Sequence, residues 1–508
     1  MKAKHCALLL LALGISFISG ARNESSWHWS FESNDYVYTD RDSYGSNNYL
    51  KLDWTRSRFR AGIQAEWHPR PLLGYDEGLE GFSLPGKFIR YDADRFSLTL
   101  GDWYDQLGTG LLFRSWEDRT LGMNNSIGGA RAEYASDRFA AKVVWGFPKH
   151  LRGYSSTRIL GTEMTLMPVE ILGGALGMQL SFLERFEKEL PYYLEKDWTK
   201  VEVPLNNASW SLGADYSAGA FHLKLEYCGK QRDWHDFTAG GVESLAPGKA
   251  FYVESGLYAG NFSAAASFRH LDNMTNKVFR TDRTYISNTL NYIPALSLQH
   301  SYMLCTLEPY YPSSDGENAW QLDLIYNAGR RGRLHLNYSE AHGLGKYHAL
   351  GKNALLFRDV SLKYERKWSR RLKSVFLLNI QESSPSRGVH RMTQVRNTAV
   401  ADLSCRFTES FSMRGELQYL YSAEGEKDWC AALLEASLTS GWTFFAKDMY
   451  NHGSSGIHYW QGGVSYSRGH YRIGAAFGRN REGMVCSGGV CRWQPGFTGG
   501  NLSLSIIF

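Results

Sequence analysis

No apolar run in this 508-residue chain is long enough to cross a bilayer as a helix. The mean hydropathy is −0.37, so a helical membrane protein is excluded. Charge of one sign is also missing: 56 Lys and Arg stand against 51 Asp and Glu. That balance excludes a bulk polycation built for nucleic acid. Proline is scarce, at 13 residues, and cysteine is held to seven. No linker or low-complexity stretch divides the chain, which reads as one domain.

The longest apolar stretch runs from Ala7 to Phe17, behind Lys2 and Lys4 and ahead of Ser19 and Ala21. That order predicts a secretory signal peptide over 1–21, cleaved after Ala21. Cys6 precedes the apolar core and so cannot be a lipoprotein acceptor. The exported chain, 22–508, carries a net charge of about +3 once Lys2 and Lys4 leave.

Aromatics, by contrast, are abundant: 14% of the chain, with 30 Tyr and 16 Trp. A barrel in a membrane places aromatics in two girdles and apolar groups on its lipid face only, which keeps mean hydropathy low. Period-two alternation recurs throughout. Phe221, Leu223, Leu225 and Tyr227 alternate with His222, Lys224 and Glu226. Leu334, Leu336 and Tyr338 alternate with Arg333, His335 and Asn337; Val360, Leu362 and Tyr364 alternate with Ser361, Lys363 and Glu365. Phe411, Met413, Leu417 and Tyr419 alternate with Ser412, Arg414, Glu416 and Gln418. At the end Leu502, Leu504, Ile506 and Phe508 alternate with Asn501, Ser503, Ser505 and Ile507. One face is apolar and the other charged, so the second must meet water, in a lumen. The lumen-facing charges are then Lys224, Glu226, Arg333, Lys363, Glu365, Arg414 and Glu416.

Connections alternate between short and long. Short turns are expected near 135–138, 217–219, 259–261, 328–332, 369–371, 408–410, 439–441 and 467–469. Longer loops are expected at 186–207, 229–248, 341–357, 382–397 and 480–499. The reading is an all-β fold: a single antiparallel transmembrane barrel of about 26 strands, within a range of 22 to 26. Strands 27–38 and 500–508 should pair to close it, leaving no strand edge in lipid. Both termini and the short turns would be periplasmic and the long loops extracellular. The first strand begins too soon after the cleavage site for a plug domain.

Two segments are denser than strands require. The first, 101–131, is rich in glycine and carries Arg114, Glu117, Asp118 and Arg119. It is either an inward-folded loop that narrows the lumen or a glycine-rich outer loop. A phosphate-binding loop is excluded, because no Lys-Ser/Thr follows the glycines. The second is C-S-G-G-V-C at 486–491, where Cys486 and Cys491 flank two glycines in an exported loop, which predicts a disulfide. Cys228, Cys305, Cys405 and Cys430 lie singly, and no metal-ligand set is spaced with the cysteine pair.

These two segments carry a resemblance. Gly101, Tyr104, Gln106, Gly108, Gly110, Leu111, Arg114, Glu117, Arg119, Leu121 and Gly122 match a run of the form G-x-x-Y-x-Q-x-G-x-G-L-x-x-R-x-x-E-x-R-x-L-G. Cys486, Gly488, Gly489, Val490, Cys491 and Arg492 match a C-x-G-G-V-C-R element, and P-L-L-G-Y at 71–75 is similar too. Over nearly its whole length the chain resembles an uncharacterised family of Bacteroidota outer-membrane barrel proteins, in which an Asp stands where this chain has Asn124. The resemblance implies the barrel and its location, and no activity.

An enzyme is not expected, and no cofactor is called for. His452, Ser454 and Ser455 in H-G-S-S-G form a hairpin loop rather than a strained nucleophile elbow. His335, His342 and His348 have no acidic ligand in matching register. The sequons at Asn261 and Asn501 fall in or beside strands. What is left is a channel or passive transporter for small solutes or ions, or a structural component whose lumen is filled by loops or by a protein partner in an outer-membrane complex. The surrounding partner in either case is outer-membrane lipid, with no nucleic acid.

Overall fold

The computed structural model describes residues 25–188, 192–193, 200–237, 242–279, 286–313, 316–345, 353–386, 392–487 and 490–508. Residues 1–24, which include the segment expected to be a signal peptide, and His348, Gly488 and Gly489 lie outside the described residues.

Twenty-four antiparallel strands close into one barrel. They are β1 Ser25–Tyr38, β2 Ser43–Arg56, β3 Phe59–Arg70, β4 Gly81–Asp92, β5 Phe96–Trp103, β6 Ile127–Ala135, β7 Phe139–His150 and β8 Arg158–Ile171. The wall continues with β9 Gly174–Phe186, β10 Asn206–Ala218, β11 Phe221–Phe237, β12 Val242–Ala259, β13 Phe262–Asp272, β14 Glu317–Ala328, β15 Gly332–Gly343 and β16 Leu355–Lys367. It ends with β17 Leu372–Ser383, β18 Gln394–Arg406, β19 Phe411–Tyr421, β20 Trp429–Leu438, β21 Trp442–Asn451, β22 Ile457–Arg468, β23 Tyr471–Asn480 and β24 Phe497–Ile507. Each pairs with the next in sequence, and Gly153–Tyr154 adds a short extra strand on β7. Among the described residues no helix is long and apolar enough to cross a membrane.

Closure is made by β1 and β24, in register from Ser30↔Ile507 to Tyr38↔Gly499. The last residue is fixed by more than the ladder. The Phe508 ring stacks on Trp29 at 4.9 Å and on His470 at 4.4 Å. Its main-chain N–H donates to the Trp29 carbonyl at 2.8 Å, and the Trp29 N–H returns the bond at 2.9 Å.

Alternation sorts the side chains as period two demands. Leu378 and Leu417 are 62% and 67% exposed on the outer face, whereas Leu377 and Glu416 beside them are 2% and 4% exposed on the inner face. Phe376, Ile380, Leu362, Leu180, Ile63 and Leu502 extend the same outer apolar surface. Apolar groups left this exposed over a whole barrel are what a lipid-facing band consists of.

Every turn at the end that carries the termini is two to four residues long, while the opposite end carries all the long connections. The count of 24 lies within the expected range of 22 to 26, and 104–126 and the described residues of 273–316 lie against the inner faces of the strands. One detail differs from expectation. The loop expected at 229–248 is instead mostly strand: β11 and β12 continue their ladder to Phe237↔Val242 past a register shift between Lys230 and Asp233. Gly248 and the residues near it read as loop signals, but the growing hairpin satisfies their backbone groups.

Candidate functional site

The inner faces of the strands are polar, and two connections fold onto them. The first, 104–126, crosses from β1 to β11. Its entry is set by Arg131 and Lys142, which reach Asp105 at 2.5 and 2.8 Å. The Gly108 N–H donates to Glu163 on β8 at 2.9 Å, and the Thr109 N–H donates to Glu226 on β11 at 2.9 Å. On the far side Gln64 donates to Glu117 at 2.8 Å, and Arg119 pairs with Glu32 of β1 at 2.9 Å. Deeper in, Lys149 pairs with Glu66 at 3.0 Å, and Asn124 donates to the other Glu66 oxygen at 3.2 Å. Buried charges this close are held because each has a partner.

The glycines of this segment are required by where it lies. Gly108 has φ +61, and a Cβ there would sit 2.1 Å from Glu226 Oε1. Gly101, in β5, has φ +105, and a Cβ would sit 2.1 Å from the Lys87 carbonyl. Gly110 gives its carbonyl to the Tyr292 N–H at 2.8 Å. Gln106 donates to the Gly108 carbonyl at 2.9 Å, and the Tyr104 hydroxyl donates to Asn124 at 3.1 Å. Of the four charges noted in this segment, Glu117 and Arg119 pair with each other at 3.1 Å. Arg114 does not: its guanidinium lies over the Tyr292 ring at 4.1 Å and faces Trp116 at 5.4 Å.

The second connection, 273–316, of which 280–285 and 314–315 lie outside the described residues, was not anticipated. It lies against the first by a short backbone pairing, Arg114 N–H to Leu290 and Tyr292 N–H to Gly110. Asparagines complete the join. Asn276 donates to the Leu112 carbonyl at 2.9 Å, Asn291 to Leu111 and Met274 at 2.9 and 2.8 Å, and Asn125 to Thr289 at 2.7 Å. Beneath them Leu107, Leu112, Phe113, Val278 and Leu290 pack on Val144, Ile159 and Leu183 of the wall, a small core inside the barrel. The segment then crosses to β16–β20. His300 contacts Asp359 at 2.8 Å, Gln381 donates to the Cys305 carbonyl at 3.1 Å, and Leu304 N–H donates to Gln418 at 2.9 Å. The signal available in the sequence was the lack of alternation across 273–316 together with Asn273, Asn276, Asn288 and Asn291.

The three motifs noted in the sequence meet at one point of the barrel end opposite the termini. Cys486 and Cys491 are disulfide-bonded across the hairpin of Gly483–Ser487 and Val490–Gln494. That hairpin carries Arg492, whose guanidinium sits 4.4 Å over the Tyr75 ring and donates to the Thr120 carbonyl at 3.3 Å. The Tyr75 hydroxyl donates to the Arg119 carbonyl at 2.7 Å. Burial raises the Tyr75 phenol above its ordinary range, partly offset by Arg492, so the hydroxyl stays a donor at neutral pH. Gly74 and Gly122 have φ of +86 and +69, and a Cβ on either would strike Arg492 or the Tyr75 ring.

The seven charges expected on the lumen face are not gathered into one site. Glu226 alone among them holds the first connection. Lys224 stands opposite Glu254 in the β11–β12 ladder. Lys363 and Lys373 share Glu365 at 3.2 and 3.3 Å. Arg414 bridges Asp402 and Glu416 at 3.0 and 2.6 Å, and Arg333 donates to Asn327 at 3.2 Å. His452 stacks on Tyr419 rather than meeting a serine, and Asn451 accepts the Ser454 and Ser455 N–H groups as in a hairpin turn.

A family described as "Family of unknown function (DUF6029)" matches residues 1–508, and the chain belongs to it. Among curated proteins none matches. Among solved structures the chain is similar to the P pilus usher (PapC) translocation pore, with 10% identity over 95% of this chain and 99% of that one, TM-score 0.46. It is also similar to the siderophore receptor PirA from Pseudomonas aeruginosa, with 9% identity over 96% and 81% of the two chains, TM-score 0.44. The copper transporter OprC gives 8% identity over 96% and 81%, TM-score 0.46.

Proposed function

We propose that this member of the family of unknown function is an integral outer-membrane barrel that acts as a channel or passive transporter for small solutes, its lumen narrowed by 104–126 and 273–316. The observation that carries this is a closed wall of 24 strands, apolar outside and polar inside, crossed by two connections of the same chain. At a strand spacing of about 4.8 Å and the usual tilt, a circular section would measure roughly 45 Å between backbones. In this reading the two connections narrow such a section without filling it. In this reading 1–21 is removed on export, the termini and short turns face the periplasm, and the long loops face outward. Lys224, Arg333, Lys363 and Arg414, with their carboxylate neighbours, then line the passage and weight it for charge.

A second reading is favoured by one feature. The core of Leu107, Leu112, Phe113 and their neighbours is almost wholly buried, as suits a structural component whose lumen stays shut until a protein partner engages. Swelling of liposomes containing the purified mature chain, in sugars of graded size, separates the two. A sharp size limit supports the passage. No swelling with any sugar, from a barrel shown to be folded by its heat-modifiable mobility, would overturn it in favour of the second reading.

A further inference from the structure

The near-neutral total charge hides a local imbalance at the end of the barrel that carries the termini. On the arc of β2 to β7 four of the six rim arginines have a carboxylate, Arg56 and Arg138 being the exceptions among the described residues. Arg58 meets Asp94 at 2.8 Å, Arg60 and Arg90 meet Asp92 at 2.8 and 2.7 Å, and Arg95 lies 3.8 Å from Asp137. On the arc of β14 to β19 the turns read G-R-R-G-R at 329–333 and R-K-W-S-R-R-L-K at 366–373, and Arg406 ends β18. Acids there are few. Glu365 is already shared by two lysines, and Glu409 stands exposed on the next turn. Among the described residues Lys367, Arg370, Arg371 and Arg406 form no ion pair.

Those four side chains, with Lys373 and Arg414, line a cavity of about 370 Å³ whose sole acidic lining residue is Glu435. Lys373 and Arg414 alternate with outward Leu372 and Leu417, so the cavity opens on the lumen side of the wall. Ser404, Ser412 and Ser437 add hydroxyls to it.

We infer that this cavity is a binding site for phosphate-bearing anions. Unpaired cations crowded into one concavity repel each other and raise the local anion concentration, and a multiply charged anion relieves that repulsion. Guanidinium forks match two oxygens of a phosphate at once, and the lysines add point charge. Singly charged chloride offers neither. A phosphate could arrive as a soluble solute or as a lipid headgroup. The cavity favours the solute, because exposed Leu372 and Leu403 face the lipid side and a headgroup would have to pass over the 368–371 turn. The site does not depend on whether the lumen conducts.

The test is calorimetric titration of the folded mature chain in detergent, at fixed ionic strength, with inorganic pyrophosphate and in parallel with dihexanoyl phosphatidic acid. The variant is Arg370→Gln with Arg371→Gln and Arg406→Gln; the control is Arg58→Gln with Arg95→Gln on the paired arc. All five positions are on the rim, and heat-modifiable mobility confirms folding. Saturable pyrophosphate binding, weakened about tenfold or more in the triple variant and unchanged in the control, is the expected result. Absence of saturable binding, or equal affinity in the triple variant, would overturn the site. Binding of the phosphatidic acid alone would overturn its assignment to a soluble solute.

Discussion

Replacing Gly122 by alanine should loosen the hub where Tyr75, Arg119 and Arg492 meet, without harming the barrel. Gly122 has φ +69, where an L side chain costs about 1 kcal/mol. Its new Cβ would lie 2.3 and 2.6 Å from Tyr75 Cδ1 and Cε1, so the ring must move. A displaced ring gives up the hydroxyl bond to Arg119, worth about 1 kcal/mol, and the stack under Arg492, worth about 0.5–1 kcal/mol at a part-exposed site. The total is about 3 kcal/mol against the docked hub, which is roughly a hundredfold in its opening equilibrium. The strand ladders contain none of these contacts, so they should hold. Hydrogen exchange followed by mass spectrometry checks this. Protection at 71–76, 118–123 and 483–494 should fall together by roughly that factor, with the strands unchanged. Gly173→Ala is the control, since Gly173 has φ +74 and no atom within 4 Å of its Cβ; it should show the backbone cost alone. Unchanged protection in any one of the three segments would refute the claim that they form a unit.

Other outcomes follow from single contacts. Arg269 is 1% exposed and holds Glu317, itself fully buried, at 2.9 Å; Arg269→Ala should destabilise the fold by about 3–5 kcal/mol, read as a lower midpoint in urea unfolding. Deleting Phe508 removes the stacks on Trp29 and His470 and should reduce the heat-modifiable folded fraction on refolding into detergent, with Leu as a partial substitute. Burial pushes the Cys305 thiol up to about 12, with nearby Asp359 adding to the shift. The thiol therefore stays protonated well above neutral pH, and maleimide labelling at pH 8 should be slow, rising when His300→Ala frees the segment from Asp359. Fast labelling of the parent would show that 303–306 is not packed. Reduction of Cys486–Cys491 should leave the barrel melting point in place while raising exchange in the hairpin, because so short a loop contributes only about 2 kcal/mol.

What was legible in the sequence was whatever repeats with period two. Leu417 stands out from Glu416 by position alone, and the short turns follow from the breaks in that rhythm. The closing strand was readable from its alternation and its terminal Phe508. What could not be read was the inside. Whether 101–131 folds inward depends on Glu163 and Glu226, which lie on strands far along the chain and became acceptors for Gly108 and Thr109 only once the barrel closed. The 273–316 connection has no periodicity to announce it, and its asparagines act on the backbone of another loop. Arg492 belonged to a motif, but its partner Tyr75 lies at the other end of the chain. The rim imbalance was visible as G-R-R-G-R and R-K-W-S-R-R-L-K, yet its meaning depends on which arc has carboxylates to spend.

The measurement that bears most directly on a loop-narrowed passage is single-channel conductance in a planar bilayer. It should compare the mature chain with a variant in which 106–124 is replaced by a short glycine-serine turn. A steady conductance in the parent that rises severalfold in the variant is the predicted result. A parent that is silent, or a conductance unmoved by the replacement, would contradict it.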